Sequence, residues 1–187
     1  MDEAARIRTS KFLSRVLRHR PGSIGLELDA NGWVDVDLLL ARCQQHGRTI
    51  TREDLFEVVA LCDKQRFALS PDGERVRANQ GHSVAVELGY VASTPPAVLY
   101  HGTAGSRTGS IRKEGLRRMR RHHVHLSADE QTALRVGSRH GRAVVLTVQA
   151  ERMVAAGHAF YVSANGVWLT EHVPPEYLGW PGDQLQK

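Results

Sequence analysis

Val91-Ala-Ser-Thr-Pro-Pro-Ala97 decides how the chain divides. Two adjacent prolines lack the N–H donors that a helix interior or a central strand needs. The stretch reads as a linker, with one lobe over residues 1–92 and a second over 93–187. A length of 187 residues suffices for one large core or two small ones.

Upstream of the linker the apolar spacing is helical. Ser10 stands where it can cap a helix carrying Phe12, Leu13, Val16 and Leu17, stopped by Pro21 and Gly22. Asp35 can cap a second helix through Leu38, Leu39, Leu40 and Cys43, ending near Gly47. Thr51-Arg-Glu-Asp54 resembles a capping box and opens a third, with Leu55, Val58, Val59 and Cys62. Arg66–Leu69, the turn Ser70-Pro-Asp-Gly73 and Val76–Ala78 form a hairpin pattern. Three helices and a hairpin suggest a winged-helix lobe, a shape that often binds nucleic acid, although a fold alone licenses no function.

Downstream, Ala97–Tyr100, Val124–Leu126, Ala143–Val148 and Val167–Leu169 are short β-type runs. Helices are expected near Gly109–Gly115 and over Asp129–Arg139. The whole chain is therefore expected to be α+β, its second lobe mixed and built on small sheets.

Composition excludes several classes. Hydrophobic residues are 41% and charged residues 24%, as in soluble globular proteins. No run approaches the roughly 20 apolar residues of a membrane span. Met1–Arg8 is polar and lacks the apolar centre of a secretory signal. Cys43 and Cys62 belong to no ligand pattern and read as reduced core thiols of a cytoplasmic protein. Net charge is +5. Residues 1–92 balance 13 Lys+Arg against 13 Asp+Glu, whereas 93–187 carry 12 against 7. The excess sits mainly in Arg112, Lys113, Arg117, Arg118, Arg120 and Arg121, followed by His122 and His123. Such a run is either a solvated surface or a seat for nucleic acid or pyrophosphate.

Three polar clusters are not explained by a core. Arg18-His-Arg20 closes the first helix, where the helix dipole alone favours cations. Asn79-Gln-Gly-His-Ser83 follows the hairpin and reads as a polar, flexible turn with one imidazole. Tyr100-His-Gly-Thr103 follows a strand; its glycine would let a ligand approach the backbone, with His and Thr as hydrogen-bonding groups. No HExxH, P-loop, GxGxxG or paired-carboxylate pattern is present. A set dominated by Arg and His suits a phosphate substrate, because guanidinium matches phosphate oxygens through paired hydrogen bonds.

From Ser10 to Tyr177 the chain resembles the RNA 2'-phosphotransferase family known as Tpt1 or KptA. The resemblance is carried by Leu17-Arg-His19, Asn31-Gly-Trp-Val34, Asp63-Lys-Gln-Arg-Phe67, Arg77-Ala-Asn-Gln-Gly-His-Ser83, Leu99-Tyr-His-Gly-Thr103, Val124-His-Leu-Ser127, Arg139-His-Gly141 and Asn165-Gly-Val-Trp-Leu-Thr170. Each motif is modest, but their order and spacing are specific. The resemblance implies a winged-helix RNA lobe followed by an ADP-ribosyltransferase-like lobe holding NAD+. The family's essential Arg-His-Arg-Arg set falls on Arg18, His19, Arg66 and Arg139. Its NAD+ segments fall on His101, Gly102 and Thr103 and on His125, Leu126 and Ser127. Arg18, Arg66, Asn79, Gln80, Gly81, His82 and Ser83 are the expected seat of the substrate phosphate. Many protein-modifying ADP-ribosyltransferases place a catalytic Glu near the position of Val167, and its apolar side chain argues against that activity. Cys62 replaces a more familiar Asn, and Ser138 a common basic residue.

The implied reaction removes an internal RNA 2'-phosphate in two steps. The phosphate attacks the anomeric carbon of the nicotinamide ribose and expels nicotinamide. The ribose 2''-hydroxyl then attacks the phosphate, freeing 2'-OH RNA and ADP-ribose 1'',2''-cyclic phosphate. His19 is the one member of the set that titrates near neutral pH, so it takes an acid/base part, and Arg139 is assigned to the second step. The partner is RNA, in tRNA splicing or RNA repair, handled by a cytoplasmic monomer without a metal. The alternative is a transferase that leaves ADP-ribose on nucleic-acid phosphate ends.

Overall fold

The computed structural model of the chain describes residues 1–182, except for the side chain of His140. Residues 183–187, the end of the second lobe drawn from the sequence, lie outside the described residues. The chain is α+β, with helices beside small antiparallel sheets. It forms two compact units, Met1–Gly89 and another beginning at Tyr90.

In the first unit α1 spans Glu3–His19 and is capped by the Asp2 side chain, which accepts from Ala5 N–H. Ser10 was expected to cap this helix and instead lies inside it. The first two turns bury no residue, and their one large apolar side chain, Ile7, is exposed, so apolar spacing does not reveal them. Pro21 opens a 3₁₀ turn, Pro21–Ile24, that stops α1 as expected. Strand β1 (Val34–Asp35) leads into α2 (Val36–Gln45), whose first turn is capped by Asp35. Helix α3 (Arg52–Ala60) begins with a reciprocal capping box between Thr51 and Asp54. Cys62 lies beyond the end of α3, not within it. Strands β2 (Phe67–Leu69) and β3 (Arg75–Ala78) form the expected hairpin. β1 adds to it, with Val34 opposite Val76. Leu13, Leu17, Leu39, Leu55, Phe67 and Val76 pack as one buried core.

The second unit runs β4 (Leu99–Ala104), α4 (Thr108–Glu114), β5 (Leu116–Arg117), β6 (Val124–Leu126), α5 (Glu130–Gly137), β7 (Ala143–Val148), α6 (Ala150–Ala155), β8 (Phe160–Val162), β9 (Trp168–Thr170), β10 (His172–Val173) and β11 (Leu178–Gly179). The sheets are ordered β11-β7-β4, β6-β9-β8 and β10-β5. Leu99, Leu126, Leu146, Met153 and Phe160 are buried at their centre. Helix α5 lies on β4. A Cβ on Gly102 would strike the Ala133 carbonyl of α5, and one on Gly137 would lie 3.0 Å from Thr103 N. Two glycines therefore permit this helix–strand approach. No helix among the described residues is long and apolar enough to cross a membrane.

Candidate functional site

In the first unit the end of α1 meets the segments on either side of the hairpin. Arg18 is half-buried and donates from Nη2 to the Arg66 carbonyl at 3.2 Å. The same carbonyl accepts from Asn79 N–H at 2.9 Å. Arg66 Nη1 donates to Cys62 Sγ at 3.4 Å. Ser83 N–H donates to the Arg18 carbonyl, and Ser83 Oγ lies 3.0 Å from His19 Nδ1. Arg18, His19, Arg66 and Ser83 are thus fixed by one hydrogen-bonded set. Gln65, directly before Arg66, has φ of 39°, in the left-handed region that costs a non-glycine residue energy. A Gln65 N–H to Cys62 carbonyl bond at 2.7 Å holds this bend, which aims Arg66.

Arg18, His19 and Arg66 line one open cleft of about 580 Å³, together with Cys62 and Lys64. Burial pushes the Cys62 thiol up, but bonds from the Arg66 and Lys64 backbones and the nearby guanidinium hold it below the usual range. Cys43, in the core, is pushed up by burial to about 11. The Asn79–Ser83 segment is less accessible than a flexible turn would be. Asn79 is buried and donates from Nδ2 to the carbonyls of Gln65 and Phe67 at 2.6 and 3.3 Å. His82 is buried, and Gly32 lies against its ring. Of the five residues, Ser83 is the exposed one.

In the second unit His101-Gly-Thr103 lies within β4, not after it. Paired backbone bonds between Tyr100 and Ser127 join that strand to the His125–Ser127 segment at 2.8 and 2.9 Å. His101 Nδ1 lies 3.0 Å from the His125 carbonyl oxygen. A carbonyl only accepts, so Nδ1 carries the proton. Burial lowers the His101 pKa; the His125 carbonyl opposes this and the Arg121 charge adds to it. The ring is therefore neutral near pH 7, with Nε2 as an acceptor. Arg121 Nη1 lies 2.8 Å from His125 Nδ1. A guanidinium only donates, so His125 Nδ1 accepts and its Nε2 carries the proton. The two imidazoles are opposite tautomers.

Arg121 is held below its ordinary range by burial and then by the charge of Arg139, though an arginine stays cationic. Arg139 is exposed in the short turn Ser138–His140 that follows α5. Two guanidiniums whose charges act on one another have the chemistry to share a polyanion. In the sequence Arg121 is one member of a basic run; its bond to His125 Nδ1 and the charge of Arg139 acting on it single it out. Gly102 has the reverse history. The space that a side chain there would fill is taken by α5. The Leu126 side chain is in the core, leaving its backbone alone for binding. Val167 stands in a turn where its N–H donates to Ser163 Oγ at 3.1 Å. Among the described residues, no three His, Cys, Asp or Glu side chains gather as a metal site.

The family model for "RNA 2'-phosphotransferase, Tpt1 / KptA family" matches residues 4–172. The chain belongs to that family. A "Probable RNA 2'-phosphotransferase" of Streptomyces coelicolor is 54% identical over 181 residues, covering 97% of this chain and 98% of the relative. Those of Herpetosiphon aurantiacus and Hahella chejuensis are 53% and 56% identical over 178 and 169 residues. They cover 95% and 90% of this chain and 98% and 91% of their own lengths.

Proposed function

We propose that this Tpt1/KptA-family protein is an NAD+-dependent RNA 2'-phosphotransferase. The observation that carries the reading is the convergence of Arg18, His19 and Arg66 on one cleft, at positions that match the family's essential residues. In this reading the first unit is a winged-helix RNA lobe and the second an ADP-ribosyltransferase-like lobe for NAD+. The fit of the second unit to NAD+ rests on chemistry. His101 Nε2 accepts from a ribose hydroxyl, and Arg121 beside Arg139 matches a pyrophosphate. Ser127 and Thr103 supply further polar groups.

Arg18 and Arg66 hold the RNA 2'-phosphate and spread its charge over planar donors. One phosphate oxygen forms a bond to the anomeric carbon of the nicotinamide ribose, and the bond to nicotinamide breaks. The product is RNA joined through its 2'-phosphate to ADP-ribose. The ribose 2''-oxygen then attacks phosphorus, and the bond to the RNA 2'-oxygen breaks. His19, held at Nδ1 by Ser83, moves the proton through Nε2 from the 2''-hydroxyl towards the departing 2'-oxygen. Arg139 stabilises the charge on phosphorus in that step. RNA leaves with a 2'-hydroxyl, and the phosphate leaves in ADP-ribose 1'',2''-cyclic phosphate.

The test is incubation of a 2'-phosphorylated oligonucleotide with and without NAD+. Conversion with NAD+, with release of nicotinamide and the cyclic phosphate, is expected. Dephosphorylation without NAD+, or inorganic phosphate as the main product, would make the protein a phosphatase. Product RNA that keeps ADP-ribose would make it a transferase acting on nucleic-acid phosphates.

A further inference from the structure

The cleft that holds Arg18, His19 and Arg66 extends well past them. Its wall continues along α1 through Arg15, Ser14, Lys11, Ile7 and Arg6, with Lys64 opposite. Lys11, Arg15 and Arg18 are spaced by four and three residues, so they share one helix face. At about 1.5 Å of rise per residue they span about 10 Å. Arg6, Lys11, Arg15, Arg18, Lys64 and Arg66 line the cleft against only Glu3 and Asp63 as carboxylates. Arg6 is drawn towards Glu57 at 3.7 Å, whereas no salt bridge among the described residues neutralises Lys11 or Arg15. Both are exposed. Ile7 and Leu61 lie along the cleft at 46% and 53% exposure, an apolar strip between the cations.

We propose that this arm is a second RNA subsite, in which Lys11 and Arg15 take backbone phosphates of nucleotides flanking the 2'-phosphate. The proposal rests on the RNA reading of the same cleft. Cations in a row, one helical turn apart, track a sugar–phosphate strand; Ile7 and Leu61 meet sugars or base faces. The cations of the arm, Lys11 and Arg15, are placed for phosphates, and phosphate contacts fix a strand without reading its sequence.

The experiment compares two 2'-phosphorylated RNAs, a dinucleotide and a 12-mer, with the wild type, a Lys11→Ala/Arg15→Ala double variant and Arg8→Ala. Arg8 is exposed on α1 but does not line the cleft. Binding is followed by fluorescence anisotropy across salt, and conversion in the presence of NAD+. The double variant should bind the 12-mer roughly tenfold more weakly at low salt, with a slope of log K against log salt shallower by about 1.4, two single-strand phosphate contacts. It should convert the dinucleotide like the wild type, and Arg8→Ala should change neither. Unchanged 12-mer affinity and slope in the double variant overturn the proposal, as does an equal loss with Arg8→Ala. Polyglutamate competing as well as unmodified RNA would also overturn it, marking the arm as a general anion sink. If the wild type converts neither RNA but the double variant still loses the 12-mer, the subsite stands and the proposed reaction falls.

Discussion

The two units present their polar groups in opposite ways. In the first, Arg18, His19 and Arg66 reach an open cleft, and their order comes from backbone bonds behind them, through the Arg66 carbonyl, Asn79 and Ser83. In the second, His101 is desolvated and neutral, its tautomer set by a carbonyl, and its strand is pressed by a helix that only glycine admits. The first arrangement keeps charge available to a phosphate from solution. The second fixes shape and hydrogen-bond direction, as suits a co-substrate with many neutral groups. Substitutions of the side chains that open onto the cleft should therefore act on turnover, and substitutions at the packed seam between β4 and α5 on folding.

The largest expected effect is in the first unit. Arg18→Ala or Arg66→Ala should lower turnover of 2'-phosphorylated RNA by roughly 100- to 1,000-fold, about 3–4 kcal/mol in the transition state. Arg66→Lys should not restore it, because an ammonium cannot make the paired planar contact. Melting temperatures should stay close to that of the wild type. Near-normal turnover by Arg66→Lys would show that charge alone suffices. His19→Ala and Arg139→Ala should do more than slow the reaction. If both serve the second step, RNA-2'-phospho-ADP-ribose accumulates as a slower band on a denaturing gel. A block before nicotinamide release in both variants would move them to the first step.

Gly102→Ala is the matching test in the second unit. The added methyl meets the Ala133 carbonyl, backbone that cannot rotate away. Stability should fall by about 3 kcal/mol or more, read from the denaturant midpoint without any ligand. A variant of normal stability with a raised KM for NAD+ would return Gly102 to the role of ligand cradle. Asn79→Ala should sit lower on the scale. It removes two donor bonds to the Gln65 and Phe67 carbonyls and should cost about 1–3 kcal/mol. Here stability and turnover should fall together, since the same clamp aims Arg66. A loss of turnover at unchanged stability would instead place Asn79 against the substrate.

Much of the fold is legible in the sequence, for identifiable reasons. Asp35 and the Thr51–Asp54 box act within one helical turn, so their sequence signal is complete. The hairpin turn is equally local, with Gly73 at φ of 76°. The start of α1 was missed because Glu3–Thr9 has no buried stripe to read. Strands β5, β10 and β11 have two residues each, too few for any alternation to register. At the site, Arg18, His19, Arg66, His82 and Gly102 all stand out by their motifs, but the packing of Gly102 and His82 does not. The neighbours that explain them, Ala133 and Gly32, lie 31 and 50 residues away in sequence. Arg121 was hidden by its own surroundings: one arginine in a basic run is distinguished only by what it touches.

The smallest expected effect concerns protonation in the second unit. His101 has an ordinary pKa of 6.5, lowered in the folded chain by burial. The unfolded chain therefore takes up this proton as pH falls below about 6.5, while the folded chain does not until lower pH. Above about 6.5 neither state binds it and the contribution is constant; below, stability declines, by at most about 1.4 kcal/mol per pH unit for one proton. His123, lowered mainly by burial and then by the His122 charge, pulls in the same direction. Asp29 and Asp129 are lowered from 3.8, so their losses belong to a more acidic range. Chemical denaturation between pH 7.5 and 4.5 should show the wild type losing stability from about pH 6.5 downward. His101→Asn keeps a donor for the His125 carbonyl but cannot take up the proton. It should show a shallower decline, with the His123 share remaining. Parallel curves for the two proteins through this window would mean that His101 titrates alike in the folded and unfolded chains. Its neutral tautomer, and with it the contrast drawn between the two units, would then be wrong.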